Sequence, residues 1–332
     1  MIMKLINKKN RLIVGMGSAL IDILVHEDDE FLEKTGAIKG GMIYVDKDYI
    51  EHTLTLTSKE SRIVSGGSAC NTVIGIGKLG GQARFVGKSG KGRMGHFYET
   101  NLKENNVEPT LFKSSSPTGR VLSVITPDAQ RSMFTYLGAA SETQPEEITK
   151  DCFNNAAIVH IEGYILFNED LILSSLNAAK KAGARISLDL ASFTVVEGAK
   201  SLLEKIVKDF VDILIANEDE ALAFTGYSDE SKALDSLAKN VHIAVLKLGE
   251  RGSYISQSGK RIRIAPMGTG VAVDTTGAGD LWASGFLFGL VNGYDIETCG
   301  KLGSACGYEV CQVVGANIPQ KGWERIRKIL EE

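Results

Sequence analysis

The chain has 332 residues, 43% of them hydrophobic, and a formal net charge of −4. That length holds one large α/β domain with room for a small accessory piece, and the acidic balance gives no electrostatic footprint for nucleic acid. No apolar run is long enough to cross a bilayer, and Met1 to Arg11 carries lysines without the apolar core and cleavage site of a signal peptide.

In chain order, Leu12 to Gly17 reads as a buried parallel strand running into a turn. Gly15-Met16-Gly17-Ser18-Ala19-Leu20 begins like a dinucleotide fingerprint, but Leu20 stands where the third glycine belongs and no helix pattern follows. Asp22, just beyond, suits a hydroxyl-binding carboxylate or an ordinary surface acid. Residues 23–63 mix strand-like and charged pieces without a βα repeat. In Ser65-Gly66-Gly67-Ser68-Ala69-Cys70-Asn71 the double glycine lets a polyol approach the backbone. Asn71, one helical turn on, can donate to and accept from hydroxyls; a plain turn capping a helix explains the same residues. Gly81 to Ser89 looks like a P-loop, but its glycines are one residue too far apart and Phe85-Val86 reads as strand, so a Walker-type site is rejected.

Residues 117–137 read as a hairpin: Gly119 to Thr126, a turn at Pro127-Asp128-Ala129-Gln130, then Arg131 to Leu137. With 23–63 it is expected to form a small β lid over the main sheet. Further strand-like runs are Ala156 to Ile161, Arg185 to Leu190, Val211 to Ala216 and Ile243 to Leu248. Helix-period stretches alternate with them at Leu171 to Ala182, Ala199 to Phe210 and Ser231 to Lys239. Such alternation predicts an α/β fold with a mostly parallel central sheet and helices on both faces. No linker or repeat interrupts it, so residues 11–328 are expected to form one domain.

Asn217-Glu218-Asp219-Glu220 closes one strand and enters a helix. Acids there suit Mg²⁺-bound water or phosphate contacts; an Asn cap with acids favouring the helix dipole is the other reading. Lys247-Leu248-Gly249-Glu250-Arg251-Gly252 follows the next strand and forms either a nucleotide shelf or a hairpin turn.

The most informative segment is Asp274-Thr275-Thr276-Gly277-Ala278-Gly279-Asp280. It lies between a strand-like run, Val271 to Val273, and a helix-like run, Leu281 to Phe288. A glycine-rich turn feeding a helix start aims several backbone N–H groups at one spot and binds anions. Asp280 sits where a general base would meet a substrate hydroxyl, or where an aspartate would cap the helix. Capping needs no run of minimal residues such as Gly277-Ala278-Gly279, whereas an approaching phosphoryl group does. The pattern reads as phosphoryl transfer.

These motifs, in this order and spacing over roughly residues 11–328, resemble the PfkB, or ribokinase-like, carbohydrate kinase family, in particular its adenosine-kinase-like branch. Asp274 to Asp280 is similar to the C-terminal signature, Gly66-Gly67 with Asn71 to the N-terminal glycine signature, and Asn217 with Glu220 to the NxxE motif. The resemblance implies a three-layer ribokinase-like fold with a β lid, and an ATP- and Mg²⁺-dependent kinase acting on a primary hydroxyl of a sugar or ribonucleoside. It implies Asp280 as base, Gly277, Ala278 and Gly279 as anion hole, and Asp22, Gly66, Gly67 and Asn71 as ligands of the acceptor's hydroxyls. Arg131 matches an arginine near the acceptor in adenosine kinases, and Tyr164 an aromatic that stacks on the purine. Nucleotide contacts would come from Asn217, Lys247, Gly249, Gly252 and Ser304, with Glu220 organising Mg²⁺ through water. A monovalent cation, K⁺, would be held by Asp274 and Thr276 with the loop at Gly315-Ala316-Asn317.

Two positions depart from the pattern. Gly92 replaces the acid usual in the GxDxxG loop, here Gly90 to Gly95. Arg120 stands where adenosine kinases often have a small residue, and an arginine near the acceptor would suit a sugar phosphate. A sugar or nucleotide sensor without catalysis is the competing reading, and a dinucleotide-dependent oxidoreductase a distant third. Five cysteines without CxxC spacing fit reduced thiols and a cytoplasmic protein, either monomer or homodimer.

Overall fold

The computed structural model describes residues 10–331 except 37, 38, 40 and 129. The N-terminal segment read for a signal peptide and Ala129 of the expected hairpin turn therefore lie, wholly or nearly so, outside the described residues. The chain begins with β1 (Leu12–Met16), β2 (Leu20–His26), α1 (Asp29–Thr35), β3 (Met42–Tyr44), α2 (Lys47–Leu56), β4 (Arg62–Gly66) and α3 (Ser68–Lys78). It continues through β5 (Ala83–Gly90), α4 (Arg93–Glu104), β6 (Val107–Ser114), β7 (Thr118–Ile125), β8 (Arg131–Gly138), β9 (Ala156–Glu162), α5 (Glu169–Lys181) and β10 (Arg185–Asp189). Next come α6 (Phe193–Gly198), α7 (Lys200–Asp209), β11 (Ile213–Asn217), α8 (Glu218–Thr225), α9 (Glu230–Ala238) and β12 (Ile243–Lys247). The chain ends with β13 (Ser253–Gln257), β14 (Lys260–Ile264), α10 (Ala278–Asn292), α11 (Ile296–Cys311) and α12 (Gln320–Lys328).

The main sheet has nine described strands in the order β14-β13-β12-β11-β10-β9-β1-β5-β6. From β12 to β6 all pairs are parallel; β13 and β14 add an antiparallel edge. Successive residues on each strand go to opposite cores, as the two-residue side-chain period requires. Ile213, Ile215, Ile243 and Val245 join the core under α3 and α10, while Leu214, Ala216, Ala244 and Leu246 join the core under α5, α7 and α9. This is the ribokinase-like α/β architecture expected. Each such isoleucine, leucine or valine side chain, fully buried, contributes about 1.5–3 kcal/mol of transfer free energy.

A second sheet, β3-β8-β7-β2-β4, is built from the two regions that break the βα rhythm. The β7–β8 pair is the expected hairpin, antiparallel from Thr118↔Gly138 to Ile125↔Arg131. The sheet is not a bare β element. Phe31 and Leu32 of α1 and Ile50 of α2 are buried in the same core as Ile21, Ile23, Leu122 and Phe134, so these helices cover its outer face. The other face looks toward the C-terminal ends of the parallel strands.

One local expectation fails. Val271 to Val273 form no strand: Val271 is 90% exposed, and the Val273 N–H donates to the Cys311 carbonyl of α11 at 2.7 Å. The segment is held by α11 instead of by a strand of either sheet.

Candidate functional site

The two sheets enclose a cavity of about 880 Å³ over the C-terminal ends of β1, β9, β10, β11 and β12. That is where open parallel sheets bind ligands, outside the carboxyl ends of the strands. Its walls include Asp22, Gly67, Asn71, Arg131, Tyr164, Asn217, Glu220, Lys247 and the whole turn from Thr275 to Asp280. Asp274 lies just behind the wall. Gly249 and Gly252, in the β12–β13 hairpin, and Ser304, buried on α11, do not line it. Gly66 is not in the wall either, yet an ideal Cβ there would lie 2.4 Å from the Asp22 carboxyl carbon, so its missing side chain makes room for that acid.

Asp280 is the third residue of α10. Gly277 is the N-cap, at φ +73°, and no side chain caps this helix. Asp280 is therefore not a capping residue. Its carboxylate is held from across the cavity floor: Ser68 Oγ donates to Oδ1 at 2.7 Å and Asn71 Nδ2 to Oδ2 at 2.9 Å. Thr72 Oγ1 adds a bond to the Asp280 carbonyl at 3.1 Å. Burial pushes the Asp280 carboxyl above its usual range, and the Ser68 and Asn71 donors pull against that shift.

Asp274 fastens the same turn from beneath. Its Oδ1 accepts from the Thr276 N–H at 2.9 Å and from Thr276 Oγ1 at 2.6 Å, and its Oδ2 from the Gly315 N–H at 2.8 Å. Residues 274–276 and the loop at Gly315 are thus one hydrogen-bonded unit. Arg131, from the edge of β8, reaches the Thr276 hydroxyl across the gap between the sheets.

On the opposite flank, Lys247 Nζ pairs with Asp189 Oδ2 at 2.9 Å, both side chains nearly buried. Burial alone would lower the Lys247 pKa; the Asp189 and Glu220 carboxylates outweigh it and hold the ammonium charged. An ideal Cβ on Gly279 would sit 2.9 Å from that Nζ, which places the lysine directly over the turn. Asn217 and Glu220 bear out the helix-cap reading. They form a reciprocal capping box, with Glu220 Oε2 accepting from the Asn217 N–H at 2.8 Å and Asn217 Oδ1 from the Glu220 N–H at 2.9 Å, and they face the cavity. Burial raises the Glu220 carboxyl.

Sequence reasoning missed Glu162 and Asp189, both acids closing parallel strands, and Ser68 as partner of Asp280. The signal was available: an acid ending a buried strand of a parallel sheet faces the ligand crevice. Glu162 Oε1 accepts from the Ser18 N–H at 2.8 Å and Oε2 from the Ala69 N–H at 3.0 Å. Burial pushes its carboxyl up to about 7 and that of Asp22 to about 6. Arg120 is corrected. It points away from the cavity and pairs with Glu51 at 3.3 Å, because on β7 it faces opposite to the wall residue Val121. Gly92, the missing acid of the GxDxxG loop, caps α4 without a side-chain bond.

Several known proteins are similar to this chain. It is 29% identical to the 5-dehydro-2-deoxygluconokinase of Bacillus subtilis, over 88% of this chain and 94% of that one. It is 28% identical to a nucleoside kinase of Methanocaldococcus jannaschii, over 87% and 93%. An adenosine kinase structure from Sinorhizobium meliloti superposes with a TM-score of 0.88 at 32% identity, covering 96% of this chain and 99% of that one. A probable sugar kinase structure from Rhizobium etli does so with a TM-score of 0.90 at 30% identity, covering 97% and 99%. The profile of the pfkB family carbohydrate kinases matches residues 30–322, and the chain belongs to that family.

Proposed function

We propose that the protein transfers the terminal phosphoryl group of ATP to a primary hydroxyl of a sugar or ribonucleoside, with Asp280 as the base. One observation carries the reading: a carboxylate oriented by Ser68 and Asn71 stands on the first turn of α10, beside the N–H groups that follow Gly277. Phosphoryl transfer asks the protein for positioning and charge neutralisation more than for covalent chemistry. Asp280 takes the hydroxyl proton as the oxygen attacks. The N–H group of Gly279 receives the charge on the transferring group, and Lys247 and Arg131 flank it; the Ala278 N–H, expected to share this role, donates to the Thr275 carbonyl at 3.1 Å. Asp22, Gly67 and Asn71 hold the acceptor's other hydroxyls, and Tyr164 packs against what the ribose carries.

The residues fit a nucleotide. Gly279 leaves open, under Lys247 Nζ, the space a Cβ would fill. Both Glu220 oxygens already accept from Asn217, and no group of three or more metal-ligating side chains occurs among the described residues. That suits Mg²⁺, which keeps its waters and enters with the phosphates; bound there it would neutralise phosphate charge. Asp274 and Thr276 would present the monovalent-cation loop next to the turn, and a K⁺-dependent rate tests that role. We assign Gly249, Gly252 and Ser304 to the nucleotide side and the smaller sheet to a lid that excludes water.

The test is acceptor-dependent ADP release with Mg²⁺ and ATP over free sugars, nucleosides and their monophosphates. Phosphorylation of at least one acceptor at its primary hydroxyl, read by ³¹P NMR, is the expected result. Nucleotide binding without transfer to any acceptor would instead support a sensor.

A further inference from the structure

We propose that Glu142 is a positioning residue for the transfer: it clamps the two chain crossings at the base of the β7–β8 hairpin and so fixes where Arg131 stands over the turn at Thr276. The proposal rests on the phosphotransfer reading above, with the smaller sheet as its lid.

Among the described residues the chain passes between the two sheets four times, after β1, after β4, after β6 and after β8. Two acids fasten these crossings in pairs. Glu162 takes the first two, through the Ser18 N–H before β2 and the Ala69 N–H just after β4. Glu142 takes the other two, from the end of the 3₁₀ turn Ala139–Glu142 that follows β8. Its carboxylate accepts from the Ser114 hydroxyl at the end of β6 and from the Ser116 hydroxyl in the linker to β7. These two donors hold the carboxyl below its usual range, so it is charged at neutral pH. The Glu142 carbonyl accepts from Lys88 Nζ of β5 at 2.8 Å, and the same Nζ reaches Glu147 Oε2 at 2.8 Å. Lys88 is buried, which roots the clamp in the main sheet. The two crossings also hold each other, as the Ala139 N–H donates to the Pro117 carbonyl at 2.8 Å. Gly138, at φ +49°, permits that approach, since a Cβ there would overlap the Pro117 oxygen.

None of Glu142, Ser114, Ser116 and Lys88 lines the cavity. What joins them to the site is the hairpin itself. Gly138 pairs with Thr118 at the clamped end of the hairpin, and Arg131 pairs with Ile125 at the other. There Arg131 meets the Thr276 hydroxyl. The strand between them, β8, rises about 3.4 Å per residue and is roughly 24 Å long. A lever of that length turns a rotation of about 5° at the clamp into a displacement of about 2 Å at the guanidinium. That is enough to break the bond to Thr276, and misplacing a positioned group by about 1 Å can cost on the order of 100-fold in rate.

The experiment is a double-mutant cycle between Glu142 and Arg131, read with ATP, Mg²⁺ and adenosine or fructose, whichever the protein turns over faster. Glu142→Ala is expected to lower kcat about 10-fold while the KM for ATP stays nearly unchanged. In an Arg131→Met background the same substitution is expected to cost about 2-fold at most, because the group it positions is gone. Residues this far apart, with no shared partner, otherwise act additively. A purely structural Glu142 therefore gives the same loss in both backgrounds, and that result overturns the proposal. So does native kcat in Glu142→Ala. Ser116→Ala removes one of the two clamping bonds and carries the cycle if Glu142→Ala does not fold. These outcomes leave the kinase reading intact. Transfer to no acceptor by the unaltered protein overturns that reading, and the proposal with it.

Discussion

Ser68 and Asp280, 212 positions apart in sequence, meet through a 2.7 Å hydrogen bond between the start of α3 and the first turn of α10. The contact ties the glycine-pair motif to the C-terminal signature. Ser68 and Asn71 lower a carboxyl pKa that burial raises. Ser68→Ala or Asn71→Ala should therefore move the acidic limb of the kcat/KM profile to higher pH. A hydrogen bond to a charged group contributes about 1.5–3 kcal/mol, so a rate loss on the order of 10- to 100-fold is expected at neutral pH. Steady-state pH profiles of the two variants check both effects.

Glu162 joins the turn before β2 to the start of α3, and with them the Asp22 and Ser68 side chains. Its pKa rises from the usual 4.5 to about 7 on folding, because burial disfavours the charge. The folded state then binds the proton more tightly than the unfolded state. The contribution to stability is fully present below pH 4.5 and is lost as pH rises through about 7. In Glu162→Gln that loss, about 3 kcal/mol between those limits, should vanish, while an amide N–H opposes one backbone donor and slows turnover. Urea unfolding of both proteins from pH 4.5 to 8, compared as a difference, checks the sign.

Two glycines of the turn should respond differently to alanine. Gly277 has φ +73° and its Cβ would lie 2.6 Å from the Ala316 methyl, so Gly277→Ala should cost about 1–3 kcal/mol of stability as well as activity. At Gly279 the nearest atom is the far end of Lys247, which can swing aside. Gly279→Ala should keep nearly native stability and lose transfer, because its methyl occupies the space assigned to the phosphoryl group. Thermal unfolding beside initial rates separates the two cases.

Lys247→Met would leave Asp189 and Glu220 buried without their cation, at a cost of about 3–5 kcal/mol. The double variant Lys247→Met with Asp189→Asn should recover part of the stability and none of the activity. Recovery of both would mean that the lysine serves the fold alone.

The parallel core was legible in the sequence because its strands are short apolar runs with helix-period stretches between them, and Ile213 to Ala216 shows why: both faces are buried, so every residue is apolar. The turn from Asp274 to Asp280 was legible because Gly277 answers a local demand, a positive φ, at the start of an apolar helix. Ser68 and Glu162 were not, because their roles depend on which segments the fold brings together. Arg120 was misread for a related reason. Its charge was visible, but the face of β7 it occupies is set by pairing with β2 and β8. Val271 to Val273 had the composition of a strand, but the fold leaves Val271 exposed and ties Val273 to α11, a tertiary contact that local composition does not encode.

The central claim is that Asp280 removes the acceptor's proton, and Asp280→Asn tests it most directly. The amide keeps the shape of the side chain and cannot act as base. Single-turnover transfer should fall by about 10²–10⁴-fold, with ATP affinity, read by calorimetry, nearly unchanged. A variant that retains most of its transfer rate contradicts the account.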